Sequence, residues 1–316
     1  MKFAAVLLLS SFVLGAQVKI TPGPEKLGIE INGKPFTDFY VAGDVSKPAL
    51  WPIRAASGTY VTRAWPLAKA EDEAAIAKPD HPHQRGLWFG HASVNHLDFW
   101  NIAPLDQKPY NQPDRGKIVL HKMGEVKSGK DKGSIAATFD WQDHDGKTLL
   151  TESRVMTFYA DKDLRTIDFD ITLTAATQVT FGDEKDGLFG IRIRPVLQED
   201  KGTGHMVNAE GAMGEKAVWG KPSNWCDYSG EIAGEKVGIA ILDHPGNPGH
   251  PVRWHTRGYG LFAANPFAHH AMDKTLPETP TVVEPGKSLR FRYRVIIHPG
   301  DAKTADIAKE WAKYTK

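Results

Sequence analysis

The chain has 316 residues, 41% of them apolar, which is enough to bury a substantial core, and a formal net charge of +1. That charge excludes a nucleic-acid surface or a polybasic membrane patch as its organising feature. The one cysteine, Cys226, excludes an intrachain disulfide and a cysteine-based zinc site.

Lys2 precedes a short apolar run that ends in Gly15 and Ala16. This reads as a signal peptide over residues 1–16, and it places the mature chain in the periplasm or outside the cell. The run is short for a membrane span, and no span is expected after cleavage. The absence of disulfides suits a bacterial periplasm.

Residues 26–40 alternate through Ile29 and Ile31, break at Asn32-Gly33 and resume, which predicts a hairpin. Short strands are expected at 50–53 and 60–65, and a helical turn or two at 67–77. A proline-rich loop is expected at 101–116. Long strands follow at 117–127, 134–141, 148–159 and 164–174, separated by turn-rich pieces. In the last of these, Ile167, Phe169, Ile171 and Leu173 share one face. Further strands are expected at 189–196, 236–242, 259–263 and 289–298. The last alternates Arg290, Arg292 and Arg294 with Phe291, Tyr293 and Val295. Residues 303–314 carry the helical pattern of Ile307, Ala308 and Trp311. This order predicts an all-β fold, a large antiparallel β-sandwich with one C-terminal helix, as a single domain over residues 17–316.

Nine of the 13 histidines lie in two stretches, 79–100 and 242–270. The first reads P-D-H-P-H-Q-R-G-L-W-F-G-H-A-S-V-N-H-L-D-F-W. The second contains D-H-P-G-N-P-G-H-P-V-R-W-H-T-R-G-Y-G-L-F-A-A-N-P-F. Histidine titrates near neutrality and is the commonest metal ligand, so the two stretches are expected to face one cleft where Arg85, His83 and His250 converge. His83 and His91 are candidate general acids or bases, with Asp186 or Asp243 pairing with them. Arg85 suits a bidentate grip on a carboxylate or on paired hydroxyls. His81, Asn95, Arg192, His250 and His255 are candidate binders of substrate groups, and Trp225 and Trp254 are candidate stacking platforms for a sugar ring. His81 and His83 stand two apart and share a face of an extended segment. With Glu152, Asp186 or Asp243 they form one possible divalent-metal set. The sequence names no other cofactor. It lacks the phosphate-loop, dinucleotide, H-E-x-x-H and G-x-S-x-G signatures.

The blocks H-P-H-Q-R-G-L-W-F-G-H-A-S-V-N-H-L-D-F-W, E-K-D-G-L-F-G-I-R-I and R-Y-R-V-I-I-H-P-G, with the second histidine stretch, resemble the PmoA-like family of exported bacterial proteins, labelled after a methane oxygenase subunit. The resemblance implies a galactose-mutarotase-like supersandwich and, by analogy, acid–base chemistry on a sugar by a histidine and a carboxylate. The expected function is therefore an exported carbohydrate-active enzyme (epimerase, lyase or hydrolase) acting on a sugar or sugar acid. The alternatives are a non-catalytic glycan-binding module and the metal-dependent oxidative enzyme that the family label suggests.

Overall fold

The computed structural model describes residues 17–41, 46–102 and 114–316. The expected signal peptide, residues 1–16, lies outside the described residues, as does most of the expected loop at 101–116. In chain order the elements are β1 (Val18–Pro22), β2 (Lys26–Ile31), β3 (Lys34–Tyr40), β4 (Ala49–Leu50), α1 (Glu71–Ile76), β5 (Leu87–His91), β6 (Lys117–Lys127), β7 (Lys132–Gln142), β8 (Thr148–Tyr159) and β9 (Arg165–Ala175). There follow β10 (Val179–Phe181), β11 (Gly187–Arg192), β12 (His205–Asn208), α2 (Glu215–Val218), β13 (Trp225–Ile232), β14 (Glu235–Asp243), β15 (Arg253–Thr256), β16 (Leu261–Asn265), β17 (Thr281–Val283), β18 (Ser288–Pro299) and α3 (Ile307–Tyr314).

Two eight-stranded antiparallel sheets make the body of the protein. The first has the order β1-β2-β3-β4-β5-β11-β16-β15. The second has the order β12-β13-β14-β18-β9-β8-β7-β6. Strand period decides what each sheet buries, since alternate side chains point to opposite faces. Phe89 and Phe189 stand opposite each other in the first sheet, and both point inward. There they meet Trp141, Phe169, Phe291 and Tyr293 of the second sheet at centroid distances of 4.7–5.9 Å. These rings carry the sandwich interface. Each such ring contributes about 1.5–3 kcal/mol by leaving water.

The outward face of β9 is polar because it pairs with β18. Arg294 Nε lies 2.6 Å from Asp168 and Arg290 Nε lies 2.8 Å from Asp170. The expected C-terminal helix is present as α3, and the turn expected at 67–77 is α1. Helix α3 begins later than the pattern suggests because Asp306 has φ of 52°, a left-handed break. Residues 60–65 form isolated bridges (Arg54 with Tyr60, Thr62 with Ile193) in place of the expected strand. Pro52 and Pro66 flank that stretch and cannot donate to a ladder.

On the outward face of the second sheet, His298 Nε2 and Asp227 Oδ2 lie 2.6 Å apart, both buried. Gly238 makes room for them, since a Cβ there would sit 2.3 Å from the His298 ring. Burial alone would lower the imidazole's pKa, but the hydrogen bond and charge of Asp227 outweigh it and raise the value above 6.5. A raised folded-state pKa contributes stability that is complete below the unfolded value, about 6.5, and is lost as pH rises through the folded value. The melting temperature should therefore decline on the alkaline side of neutrality, and His298→Gln should flatten that decline. An unchanged slope in the variant would assign the pH dependence to other groups.

Candidate functional site

The candidate site lies on the outward face of the first sheet. Because Leu87, Phe89 and Ile191 point into the core, their neighbours Trp88 on β5 and Arg192 on β11 point out. On β15, Trp254 points in and His255 points out beside Ala263. Trp88 packs against Trp100 at 4.9 Å, and Gly190 permits this, since a Cβ there would meet both indoles within about 3 Å.

The first histidine stretch covers this face. The Asp80 carboxylate accepts from Arg192 Nη2 at 2.8 and 3.1 Å and also from Arg63. Arg63 continues to the carbonyls of His81 at 2.9 Å and Gln84 at 3.0 Å. Two buried guanidinium groups thus pin the loop to the sheet. Against the cost of its own desolvation, the His81 hydrogen bond and the charges of Arg192 and Arg63 hold the Asp80 carboxyl well below the usual carboxylate range. Burial, with Arg192 alongside, pulls Arg63 down to about 9. The Lys47 ammonium is also buried. It donates to the carbonyls of His83, Trp100 and Ile102 at 2.9, 2.6 and 3.2 Å, and lies 5.6 Å from the Trp88 ring.

The second histidine stretch closes the site through Tyr259. Its ring stacks on His81 (5.3 Å, 3° between planes), and the Arg192 guanidinium lies 4.7 Å from its centroid. His83 meets His81 edge-on at 5.5 Å. Burial raises the Tyr259 pKa above its ordinary value, while Arg192 opposes the shift. His255 Nδ1 lies 2.9 Å from the Lys185 carbonyl. A carbonyl only accepts, so Nδ1 carries the proton, and the neutral ring keeps its lone pair on Nε2. Burial pushes the His255 pKa to about 4, against the nearby Asp186 carboxylate, which raises it. Asp186 pairs with Lys185 Nζ at 2.8 Å, and the Trp219 ring stands 6.2 Å from His255. Burial, with Lys47 and His81 nearby, takes His83 to about 2, so His83 is also neutral.

Six of the expected site residues lie elsewhere or serve other ends, and a seventh, Arg85, is buried next to the site. His91 points to the sandwich core between Phe181 and Phe267, with Nε2 2.9 Å from the Gly182 carbonyl, and so stands on the opposite face of the sheet from His255. Asn95 braces a turn (φ 51°) by bonding Thr180 and Gln178. Trp254 is fully buried on Phe262, its indole donating to Ser223. Trp225 packs beneath α3 with Leu242 and Ile307. His250 lies 2.6 Å from the Asp243 carboxylate on the second sheet, and Asp243 also holds Asn247 and the Val252 amide. That pair is tied to β14 and β18 and does not join His83. Arg85 is buried beside Lys47, where its charge helps burial lower that ammonium's pKa. Glu152, an expected metal partner of His81 and His83, is spent in the core on Arg154 and Trp141. Among the described residues no three His, Cys, Asp or Glu side chains come together to hold a metal.

The structure unites His81, His83, Asp186, Arg192 and His255 from the expected set. Tyr259, Lys185, Lys47 and Arg63 are additions. Tyr259 stood in the R-G-Y-G of the second histidine stretch, where the tyrosine drew no notice among the histidines.

Fold and site together define a two-sheet antiparallel β-sandwich with a cluster of histidine, arginine and aromatic side chains on the outward face of one sheet. Residues 26–312 match DUF6807, a family of unknown function, and the chain belongs to that family. This match overturns the PmoA-like resemblance. No curated protein matches the sequence. Among solved structures, a galactose mutarotase-like protein from Clostridium acetobutylicum is similar at 10% identity and a TM-score of 0.43, over 90% of this chain and 99% of that one. A family 36 α-galactosidase from Geobacillus stearothermophilus is similar at 12% identity and a TM-score of 0.40, over 90% and 40%. The α-galactosidase from Lactobacillus brevis gives 8% and 0.39, over 91% and 40%. The chain spans about two fifths of the length of these α-galactosidases.

Proposed function

We propose that the chain is an exported, periplasmic or secreted enzyme that moves a proton on a sugar or sugar acid held against the outward face of the first sheet. The observation that carries this reading is His255. It is a neutral, largely buried imidazole with one nitrogen fixed by a backbone carbonyl and the other free of a proton, beside the Asp186 carboxylate and Lys185. Such a ring is unprotonated at neutral pH and can accept a proton, as a weaker base than an ordinary imidazole. Tyr259 keeps its proton and supplies a donor. Asp186 and Lys185 bind hydroxyls or orient the base. The Asp80–Arg192–Arg63 pairing holds the loop that positions His81 and His83, and Trp219 offers a ring face for a pyranose.

The test is proton NMR in heavy water on a panel of aldoses, uronic acids and uronate oligosaccharides with the purified chain. Protein-dependent exchange or loss of a ring-proton signal, or a new anomer or alkene signal, is expected for at least one sugar. No change in any sugar defeats the reading. Binding without change makes the chain a glycan-binding module.

A further inference from the structure

Beyond the His255 cluster, the same sheet face carries two neighbouring chambers toward β2 and β3. The nearer one, about 330 Å³, is walled by Arg63, Trp65 and Arg192 on one side and by α1 on the other. The farther one, about 440 Å³, is walled by Tyr40, Trp51, Arg54 and Tyr60. Lys69, Ala70 and Glu73 line both, so the two are neighbours. Arg192 lines the nearer chamber and also lies 4.7 Å from the Tyr259 ring, which ties the groove to the candidate site. Each chamber has the size of a small-ligand site, about 300–1,000 Å³.

We propose that this groove is a run of subsites for an acidic oligosaccharide, so that the substrate is a uronate-containing chain of several sugars and not a monosaccharide. The proposal rests on the sugar-binding reading above and deepens it. Length follows from the continuity of the chambers with the site. Acidity follows from charge. Four lysine and arginine side chains line each chamber and Lys69 is common to both, so seven face the groove, against Asp38, Glu71 and Glu73. Asp72 and Asp80 pair with Arg194 and Arg192 from outside the lining. Seven cations less five acids leave an excess of two positive charges, on a chain whose whole net charge is +1. Uncompensated positive charge in a cleft concentrates anions. The walls fit the same ligand. Arg54 lies over the Tyr60 ring at 4.7 Å and Lys26, paired with Asp38 at 2.7 Å, lies over the Tyr40 ring at 5.2 Å, so the farther chamber offers aromatic surface for a sugar and the Arg54 guanidinium for its carboxylate.

The experiment is titration calorimetry with tetrasaccharides of polygalacturonate, alginate and hyaluronan, each beside its monomer, with cellotetraose as the uncharged control. At least one acidic tetrasaccharide should bind about tenfold or more tighter than both its monomer and cellotetraose, and added salt should erode the gain. Tyr60 is 44% exposed and Lys69 is exposed, so Tyr60→Ala with Lys69→Gln should fold normally. That double variant should remove the gain of length and leave monomer binding unchanged. No gain of length, equal binding of cellotetraose, or a double variant that weakens monomer and tetramer alike overturns the groove. The two readings fail separately. Monomer binding and turnover without a gain of length sinks the groove alone, and a gain of length without chemical change in any sugar sinks the proton-transfer reading alone.

Discussion

His255→Gln should lower turnover by about 10²–10⁴-fold, the usual worth of a positioned general base. It should cost little stability, because glutamine can still donate to the Lys185 carbonyl that His255 Nδ1 now reaches at 2.9 Å. The pH profile of kcat/KM separates a base from a prop. A base acts deprotonated, and burial has lowered the His255 pKa to about 4. The rate should therefore climb through about pH 4 and stay level across neutrality, whereas an ordinary histidine, near 6.5, would place the climb more than two units higher. Tyr259 is raised above its ordinary value, so loss of a phenolic donor comes only in strong alkali. Asp186 raises the His255 pKa, so Asp186→Asn should move the acid limb to still lower pH. A limb near 6.5 that persists in His255→Gln would place the base elsewhere.

The architecture was legible because it is written in period. Residues 148–159 and 164–174 alternate cleanly, and they became β8 and β9 with their apolar faces in the core. The site was half legible. Histidine density pointed to two stretches, and the 79–86 loop does meet the 253–259 segment through His81 and Tyr259. What density does not carry is facing. Trp254 and His255 are adjacent in sequence, yet one fills the core and the other lies on the outward face, because successive residues of a strand point opposite ways and only the pairing with β16 fixes which is which. His91 failed for the same reason, sharing the inward face with Phe89. His250 failed because its partner, Asp243, arrives from the end of a different sheet. Lys47 and Arg63 were missed because a lone cation outside the dense stretches carries no local signal. Only the fold lays Lys47 beneath the His83 carbonyl and Arg63 against Asp80.

Glu152→Ala should destabilise the protein by about 3–5 kcal/mol. The stripe Leu150, Glu152, Arg154, Met156 and Phe158 is the inward face of β8, so the sandwich core contains an ion pair. Arg154 Nε lies 2.6 Å from Glu152 Oε1, and Trp141 Nε1 donates to Glu152 Oε2 at 2.8 Å. Glu152 is fully buried and Arg154 is 3% exposed. The guanidinium is surrounded by rings, with Phe139 at 5.1 Å, Phe39 at 5.9 Å and Phe89 at 6.0 Å. Removing the carboxylate leaves a charge with no counter-ion in that setting and an indole N–H without its acceptor. The rings return only part of the loss, since a cation over an aromatic face is worth about 2 kcal/mol when desolvated. A cost of that size is a large share of the roughly 5–15 kcal/mol that holds a domain folded, and it should lower the melting temperature by roughly 10 °C. Replacing both charges, Glu152→Leu with Arg154→Met, should restore most of the stability, because a buried pair yields little beyond what it spends on desolvation. Denaturant unfolding of the two single variants and the double gives the coupling directly. If Glu152→Ala costs less than about 1 kcal/mol, water reaches Arg154 and the core is wetter at β8 than its burial indicates. If the double variant is as unstable as the single, the pair contributes net stability, and charge there is part of what holds the two sheets together.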